Sequence, residues 1–321
     1  MTGGTGFVGK WLLATLLHID SRLNLGCRIS ILSRDPGAFS ASVPELAMNA
    51  SVELLQGDIK SFKFPKGEFD VVIHAAADVA VLIDPEEIFA TCLEGTRRIL
   101  DFSRQAGVKD LLLVSSGAVY GCQPAEQLKL SETYSGAPDT LLPSSGYGEG
   151  KRISEWLACI AASSSSIQIK IARCFSFVGP YLPLHGRFAI GNFIQSAMKG
   201  HVILIKGDGT PYRSYLYAAD MAAWLWAVLL KGRSGVAYNV GASDAVSILE
   251  LAQIINQVLE SSADIVVQKV AEPGHMPDRY IPNNNRARME LGLLEPLPLA
   301  ESIARTAEWH QKFAAYQRGC E

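Results

Sequence analysis

An α/β fold built on a doubly wound parallel sheet follows from three observations. A glycine-rich turn, Thr2-Gly3-Gly4-Thr5-Gly6-Phe7-Val8-Gly9, opens a helical pattern at the start of the chain. Apolar runs of strand length then alternate with helical patterns through Ala172, as βαβ units do. Tyr147 and Lys151 stand one helical turn apart, downstream of an apolar run that ends near Ser116. A glycine turn of this spacing ahead of a helix marks a Rossmann-like, dinucleotide-binding sheet.

The elements can be taken in order. Phe7, Val8, Trp11, Leu12, Leu16 and Leu17 recur at helical spacing after the glycines. Met1 stands where the preceding strand should be ending, so the first, central strand is expected to be truncated and the natural start to lie upstream. Losing that strand would expose ladder groups on both neighbours. Arg28–Leu32, Val52–Leu55, Phe69–His74 and Leu111–Ser115 read as strands, with a helix from about Glu86 to Gly107. A second helix runs from Tyr147 to about Ala162, and Ile167–Ala172 follows as a strand. After Arg173 the pattern loosens at Gly179-Pro180, Pro183 and Gly186, before a helix near Asn192–Lys199. These breaks predict a dinucleotide-binding domain over 1–175, with a return segment near 211–243. A smaller α/β substrate-binding lobe is expected over 176–210 and 244–321.

Composition narrows the class. With 321 residues and 48% hydrophobic content, the chain can fill both a domain and a lobe. A net charge of -3 leaves no basic footprint, so nucleic acid is not expected as a partner. The six cysteines, Cys320 among them, are scattered without Cys-x-x-Cys spacing, which suits reduced thiols and no metal site. No apolar run reaches the ~20 residues of a membrane helix, and the start lacks a signal-peptide layout. A cytoplasmic protein with no membrane partner is the expectation.

The reacting groups can be read from their chemistry. A phenol with a pKa of about 10 is a poor base near neutrality. Lys151, on the same helical face as Tyr147, supplies a charge that favours the phenolate. Tyr147 can then take a hydroxyl proton as hydride leaves the same carbon, and return it in reverse. Ser116 would hydrogen-bond the same oxygen. Backbone amides over Gly3–Gly9, with a helix N-terminus behind them, suit a pyrophosphate.

Together these segments resemble the extended short-chain dehydrogenases/reductases, over nearly the whole chain. The resemblance is to the NAD-dependent epimerase/dehydratase family of nucleotide-sugar epimerases, dehydratases and UDP-glucuronate decarboxylases. It implies catalytic Ser116, Tyr147 and Lys151, and a cofactor held by Gly3, Thr5, Gly6, Phe7, Val8 and Gly9. Gly57-Asp58-Ile59 looks like the family's adenine contact, and Ala75 and Ala76 match the small-residue strand end beside the cofactor; His74 reads as structural. Family members that prefer NAD usually end the second strand in an acid. Here Ser33-Arg34-Asp35 stands there, so Arg34 favours NADP while Asp35 keeps NAD open. Arg173–Pro180, Gly191–Ile194, Gly207–Tyr215 and Pro273-Gly274-His275 with Arg279-Tyr280 resemble substrate-binding segments. They imply that Ser176, Asn192, Arg213 and Arg279 contact a nucleotide-diphosphate sugar. A homodimer through the Glu86–Gly107 and Tyr147–Ala162 helices is implied as well.

Departures from the family pattern bear on the reaction. The dehydratases carry an Asp-Glu pair after the catalytic hydroxyl residue, and the decarboxylases keep a Glu. This chain has Gly117-Ala118, neither able to exchange a proton, which favours a 4-epimerase. A 4-keto-hexose reductase and a 4,6-dehydratase are the alternatives, with a non-catalytic dinucleotide-binding regulator as the reading from another class. Cys92 and Ser176 each stand where the family usually has asparagine.

Overall fold

The computed structural model describes residues 1–77, 84–186, 188–274 and 276–318, with side chains to residue 313; His275 and Cys320 lie outside the described residues. The first strands are β1 (Ile29–Ser33), β2 (Val52–Gln56), β3 (Val71–His74), β4 (Asp110–Ser116) and β5 (Gln168–Cys174). Then come β6 (Ser176–Val178), β7 (Ile203–Ile205), β8 (Tyr212–Arg213), β9 (Tyr215–Tyr217) and β10 (Ala237–Val240). Last are β11 (Val246–Ser247), β12 (Ile265–Val267) and β13 (Arg279–Tyr280). The helices begin with α1 (Phe7–Leu23), α2 (Pro36–Ser42), α3 (Pro44–Ala47), α4 (Pro85–Gln105) and α5 (Gly146–Ser164). They continue with α6 (Ala189–Lys199), α7 (Ala218–Lys231), α8 (Ile248–Val258), α9 (Asn285–Leu291) and α10 (Leu299–Arg318).

The main sheet is parallel and runs β2, β1, β3, β4, β5, β10, with Thr2 bridging Leu32 of β1 and His74 of β3. The position between β1 and β3 is where the sequence places its truncated first strand. The Thr2 N–H donates to Ile73 O at 2.9 Å, and Thr2 O accepts from Ala75 N–H at 3.2 Å. An apolar slot lined by Leu32, Leu55, Phe62, Val72 and Phe102 adjoins Met1 and Thr2.

Both faces of the sheet are covered, so its strands are apolar at consecutive positions rather than at alternate ones. Leu112 and Val114 of β4 pack with Leu12 of α1 and with Met221, Leu225 and Val228 of α7. Leu111 and Leu113 face the other way, against Ile99 and Phe102 of α4 and Ala158 and Ala161 of α5. Each fully buried Leu or Ile there contributes about 1.5–3 kcal/mol.

A separate cluster unites Val178, Ile190, Phe193, Ile194, Leu251, Ile255 and Ile303. It joins α6, α8 and α10, flanked by the parallel pairs β6–β9 and β7–β12. A ribbon ordered β11-β8-β13 carries Arg213 and Arg279.

Candidate active site

The glycine turn and the end of β3 meet so closely that side chains are excluded. Gly3 has φ +67°, and a Cβ there would stand 2.5 Å from the Ala75 carbonyl and 2.7 Å from Ala76 N. A Cβ at Gly9 would lie 2.2 Å from Gly3 O. Helix α1 therefore starts directly against the turn. Its N-cap, Gly6, offers no capping side chain, and its first turn holds no acid. The positive end of the helix is left unneutralised, which fits a pyrophosphate across Gly3, Thr5 and Gly6, with Phe7 and Val8 leading into the helix.

The neighbouring loops carry the other residues that the resemblance assigns to the cofactor. One Asp58 oxygen accepts from Lys60 N–H at 2.8 Å, so this acid also orders its own turn. Ile59 is buried beneath Gly95, where a Cβ would come within 3.0 Å of it. At the end of β1, Ser33 Oγ accepts from Asp35 N–H at 3.2 Å, and Asp35 caps α2 through Ala38 N–H at 2.9 Å. Arg34 lies between them and is exposed.

Ser116 ends β4 beside Cys174 of β5. Its Oγ accepts from Ala118 N–H at 3.1 Å and caps the short turn Gly117–Tyr120. Tyr147 and Lys151 lie on the first turns of α5. Lys151 is buried, and its Nζ donates to Val114 O at 2.8 Å. Two glycines let the helix come this near. A Cβ at Gly148 would stand 2.8 Å from Ala118 O, and one at Gly150 would stand 2.9 Å from Cys92 Cβ. Cys92 thus packs on the α5 backbone. Burial, partly opposed by the Lys151 charge, pushes the Cys174 thiol up to about 12.

His74 is held between hydroxyls, with Nδ1 2.8 Å from Thr2 Oγ1 and Nε2 3.3 Å from Thr96 Oγ1. Thr96 in turn donates to Ser154 of α5 at 2.9 Å. Burial first, and then the Lys151 charge, lowers His74 to about 3, so it is neutral. It ties the glycine turn to the Tyr147 helix, a structural part.

The substrate-side residues fall into two groups. Arg213 and Tyr280 are register partners on β8 and β13, as are Tyr212 and Arg279. The Arg279 guanidinium lies over the Tyr212 ring at 4.5 Å, and its buried Nε has no hydrogen-bond partner. Arg213 NH1 donates to Tyr212 O at 2.8 Å. Ser176 instead pairs in register with Tyr215, and Asn192 Nδ2 donates to Gly186 O at 2.9 Å. The fold brings the Tyr280 hydroxyl to Gly117, next to Ser116, where a Cβ would stand 2.7 Å from it.

Two features escaped sequence reasoning. Tyr280 belongs to a segment that the resemblance marks as substrate-binding, but nothing in the sequence places it beside Gly117, because it sits on a two-residue strand with no periodicity. Glu155, one turn beyond Lys151, accepts from Ser115 Oγ at 2.5 Å and pairs with Arg173 at 2.6 Å. Its spacing from Tyr147 and Lys151 was the available signal. Arg173 reaches Tyr120 Oη at 2.9 Å, and Tyr120 donates to Asn239 at 2.8 Å. Among the described residues, no His, Cys, Asp and Glu cluster could hold a metal, and no helix is long and apolar enough to cross a membrane.

A parallel sheet with a glycine turn at its centre, tied through His74 and Thr96 to the helix that carries Tyr147 and Lys151, is the arrangement of short-chain dehydrogenase/reductase enzymes. The sequence model of the NAD dependent epimerase/dehydratase family matches residues 1–241, and the chain belongs to that family. UDP-glucuronic acid decarboxylase 1 of Xenopus tropicalis is 26% identical, over 99% of this chain and 73% of its own length. dTDP-glucose 4,6-dehydratase of Streptomyces griseus is 27% identical, over 98% of this chain and 94% of its own. Among solved structures, UDP-glucose 4-epimerase of Thermotoga maritima superposes with a TM-score of 0.81 at 22% identity, covering 98% of each chain. UDP-glucuronic acid 4-epimerase of Bacillus cereus, in complex with UDP-glucuronic acid and NAD, gives 0.80 at 21% identity, covering 97% of this chain and 98% of its own. These structural likenesses are to the fold.

Proposed function

We propose that this enzyme oxidises and re-reduces C4 of a nucleotide-diphosphate hexose with a bound dinucleotide, as a sugar 4-epimerase. One observation supports the reading: the Lys151–Val114 bond fastens the Tyr147 helix to the strand that ends in Ser116, and no carboxylate follows Ser116. Elimination and decarboxylation need an acid or base there. Inversion at C4 needs only a hydroxyl base, its positioning partners and a recyclable hydride acceptor.

Gly3, Thr5, Gly6 and Gly9 would hold NAD, which would supply a hydride acceptor that can be recycled within one turnover. The family description and the NAD named with the Bacillus cereus enzyme support NAD over the NADP that Arg34 favours. The glycines at 3 and 9 let the turn pack directly against the end of β3 and the start of α1, which supports a pyrophosphate at the bare helix N-terminus. Tyr147 takes the C4 hydroxyl proton, and Lys151 favours the phenolate that forms. Ser116 hydrogen-bonds the same oxygen as it becomes a carbonyl. Arg213 and Arg279 hold the diphosphate, where a guanidinium fork matches phosphate oxygens. Ser176 and Asn192 shape the lobe around the nucleotide, within the division of 176–210 and 244–321 from the dinucleotide-binding part. Two molecules pair through α4 and α5, which leaves Trp156 and Ile160 exposed in one chain; sedimentation of the purified protein tests the pairing.

The deciding experiment incubates the protein with UDP-glucose, UDP-galactose and UDP-glucuronic acid and weighs the products. Inversion at C4 without change of mass supports the epimerase. Loss of carbon dioxide or of water would replace it with decarboxylation or dehydration. Denaturing fresh protein and weighing the released nucleotide identifies the cofactor.

A further inference from the structure

The glycine after Ser116 has a physical reason in this fold. A Cβ at Gly117 would stand 2.7 Å from the Tyr280 hydroxyl oxygen and 2.8 Å from the edge of the Phe175 ring. The Tyr280 and Phe175 rings pack with centroids 4.6 Å apart, tilted by 36°, so the space beside residue 117 is already filled by a ring pair. The Tyr280 hydroxyl thus stands at the residue next to Ser116, and against the rise that burial causes Ser116 holds its pKa down. We propose that Tyr280 is a positioning residue of the reacting centre, whose hydroxyl holds Ser116 from the space a side chain at 117 would occupy. The proposal rests on the reading of Ser116 as a catalytic hydroxyl.

Tyr280 is fixed well enough for that task. It pairs in register with Arg213 on β8. The next residue is fastened on both sides, Ile281 N–H donating to Gln123 Oε1 at 2.9 Å and Ile281 O accepting from Leu130 N–H at 2.8 Å. Ser116 needs such a partner. Its oxygen already accepts from Ala118 N–H, and a serine hydroxyl otherwise rotates freely. A Tyr280 partner turns it into a fixed hydrogen-bonding group for the sugar oxygen.

The two phenols have separate duties. Burial raises the Tyr280 pKa above its ordinary value; Ser116 and Arg213 oppose the rise, and Tyr147 and Cys174 add to it. Tyr280 therefore stays protonated wherever the enzyme works and leaves the role of base to Tyr147. A side chain at 117 cannot enter without displacing the Tyr280–Phe175 pair, so the packing keeps that position glycine.

Tyr280→Phe keeps the ring and its packing on Phe175 and removes only the hydroxyl. Turnover of UDP-glucose or UDP-glucuronic acid, whichever the protein converts, should fall about tenfold in kcat with KM unchanged. In a Ser116→Ala background the same change should cost nothing further, because the effect passes through Ser116. A purely structural role in the ribbon would raise KM through Arg213 and Arg279. Urea midpoints of the same four proteins give a readout free of turnover, and their shifts should be less than additive. Additive midpoints, an unchanged kcat in Tyr280→Phe, or a raised KM would each overturn the proposal. A wild-type protein inert toward every nucleotide sugar would overturn the functional reading, while less-than-additive midpoints would still uphold the Ser116–Tyr280 link.

Discussion

Lys151 Nζ donates to the carbonyl of Val114 at 2.8 Å, two residues before Ser116 on the same strand. That bond sets the register between α5 and β4, and with it the height of Tyr147 against the strand end. An ammonium has three donors, so one can anchor the helix while the charge still acts on the phenol.

Removing the Tyr147 hydroxyl should therefore stop proton transfer and spare the scaffold. Tyr147→Phe is expected to lower kcat about 10²–10⁴-fold, the usual worth of a positioned acid–base group. Dinucleotide released from the denatured variant should match wild type by mass spectrometry. Lys151→Met loses the charge and the Val114 bond together, so it should reduce both turnover and thermal stability. Turnover surviving in Tyr147→Phe would sink the assignment of the base.

His74 predicts an acid-side loss of stability with a defined window. Its folded pKa is lowered from the ordinary 6.5 to about 3. Between those values the unfolded chain takes up a proton that the native state refuses, so stability is fully present above pH ~6.5 and falls with pH. The slope approaches about 1.4 kcal/mol per pH unit until the folded value is reached. Urea midpoints followed from pH 7 to pH 4 should fall more steeply for wild type than for His74→Gln, which cannot take the proton. Equal slopes would show that other groups carry the acid response.

Much of the framework could be read because buried parallel strands and amphipathic helices leave long, regular signals. The run Leu111–Ser115 becomes β4 (Asp110–Ser116), and the helix expected over Glu86–Gly107 is α4 (Pro85–Gln105). Each carries several buried residues in a repeating pattern. The ribbon β8–β13 has no such signal. Its two-residue strands are joined only by tertiary pairing, Arg279 with Tyr212 and Tyr280 with Arg213. The candidate site divides in the same way. The glycine turn and the Tyr147 helix are local motifs, whereas the meeting of Tyr280 with Gly117 depends on how the lobe returns to the sheet. Cys92, marked in the sequence only as a departure from asparagine, is explained by its contact with Gly150.

Glu155 and Arg173 are expected to be coupled strongly in stability. Their side chains are 10% and 17% exposed and pair at 2.6 Å, so removing one partner leaves a largely desolvated charge. Breaking a buried pair in this way costs about 3–5 kcal/mol. Glu155→Gln should lower the urea-unfolding free energy by that order. Replacing both residues with Met should cost less than the single change, because no charge is then stranded. A double variant weaker than Glu155→Gln would mean that the pair itself, with the Ser115 and Tyr120 bonds it organises, outweighs its desolvation.

Gly9→Ala sets two effects against each other in the first turn of α1. Alanine is the better helix former by about 0.8–1.0 kcal/mol, so propensity alone predicts a more stable protein. Sterics predict the reverse, since the new methyl would stand 2.2 Å from Gly3 O and 2.5 Å from Gly4 Cα, both backbone atoms that cannot swing aside. The clash should prevail, because relief requires α1 to move away from the glycine turn proposed to hold the pyrophosphate. The expected outcome is a lower melting temperature and a protein purified with little or no dinucleotide. Gly37→Ala, whose Cβ would meet the Asp35 side chain at an ordinary 3.5 Å on α2, serves as the control and should be neutral or slightly stabilising. If Gly9→Ala behaved like the control, with cofactor retained, the close approach of helix and glycine turn would not be what seats the dinucleotide.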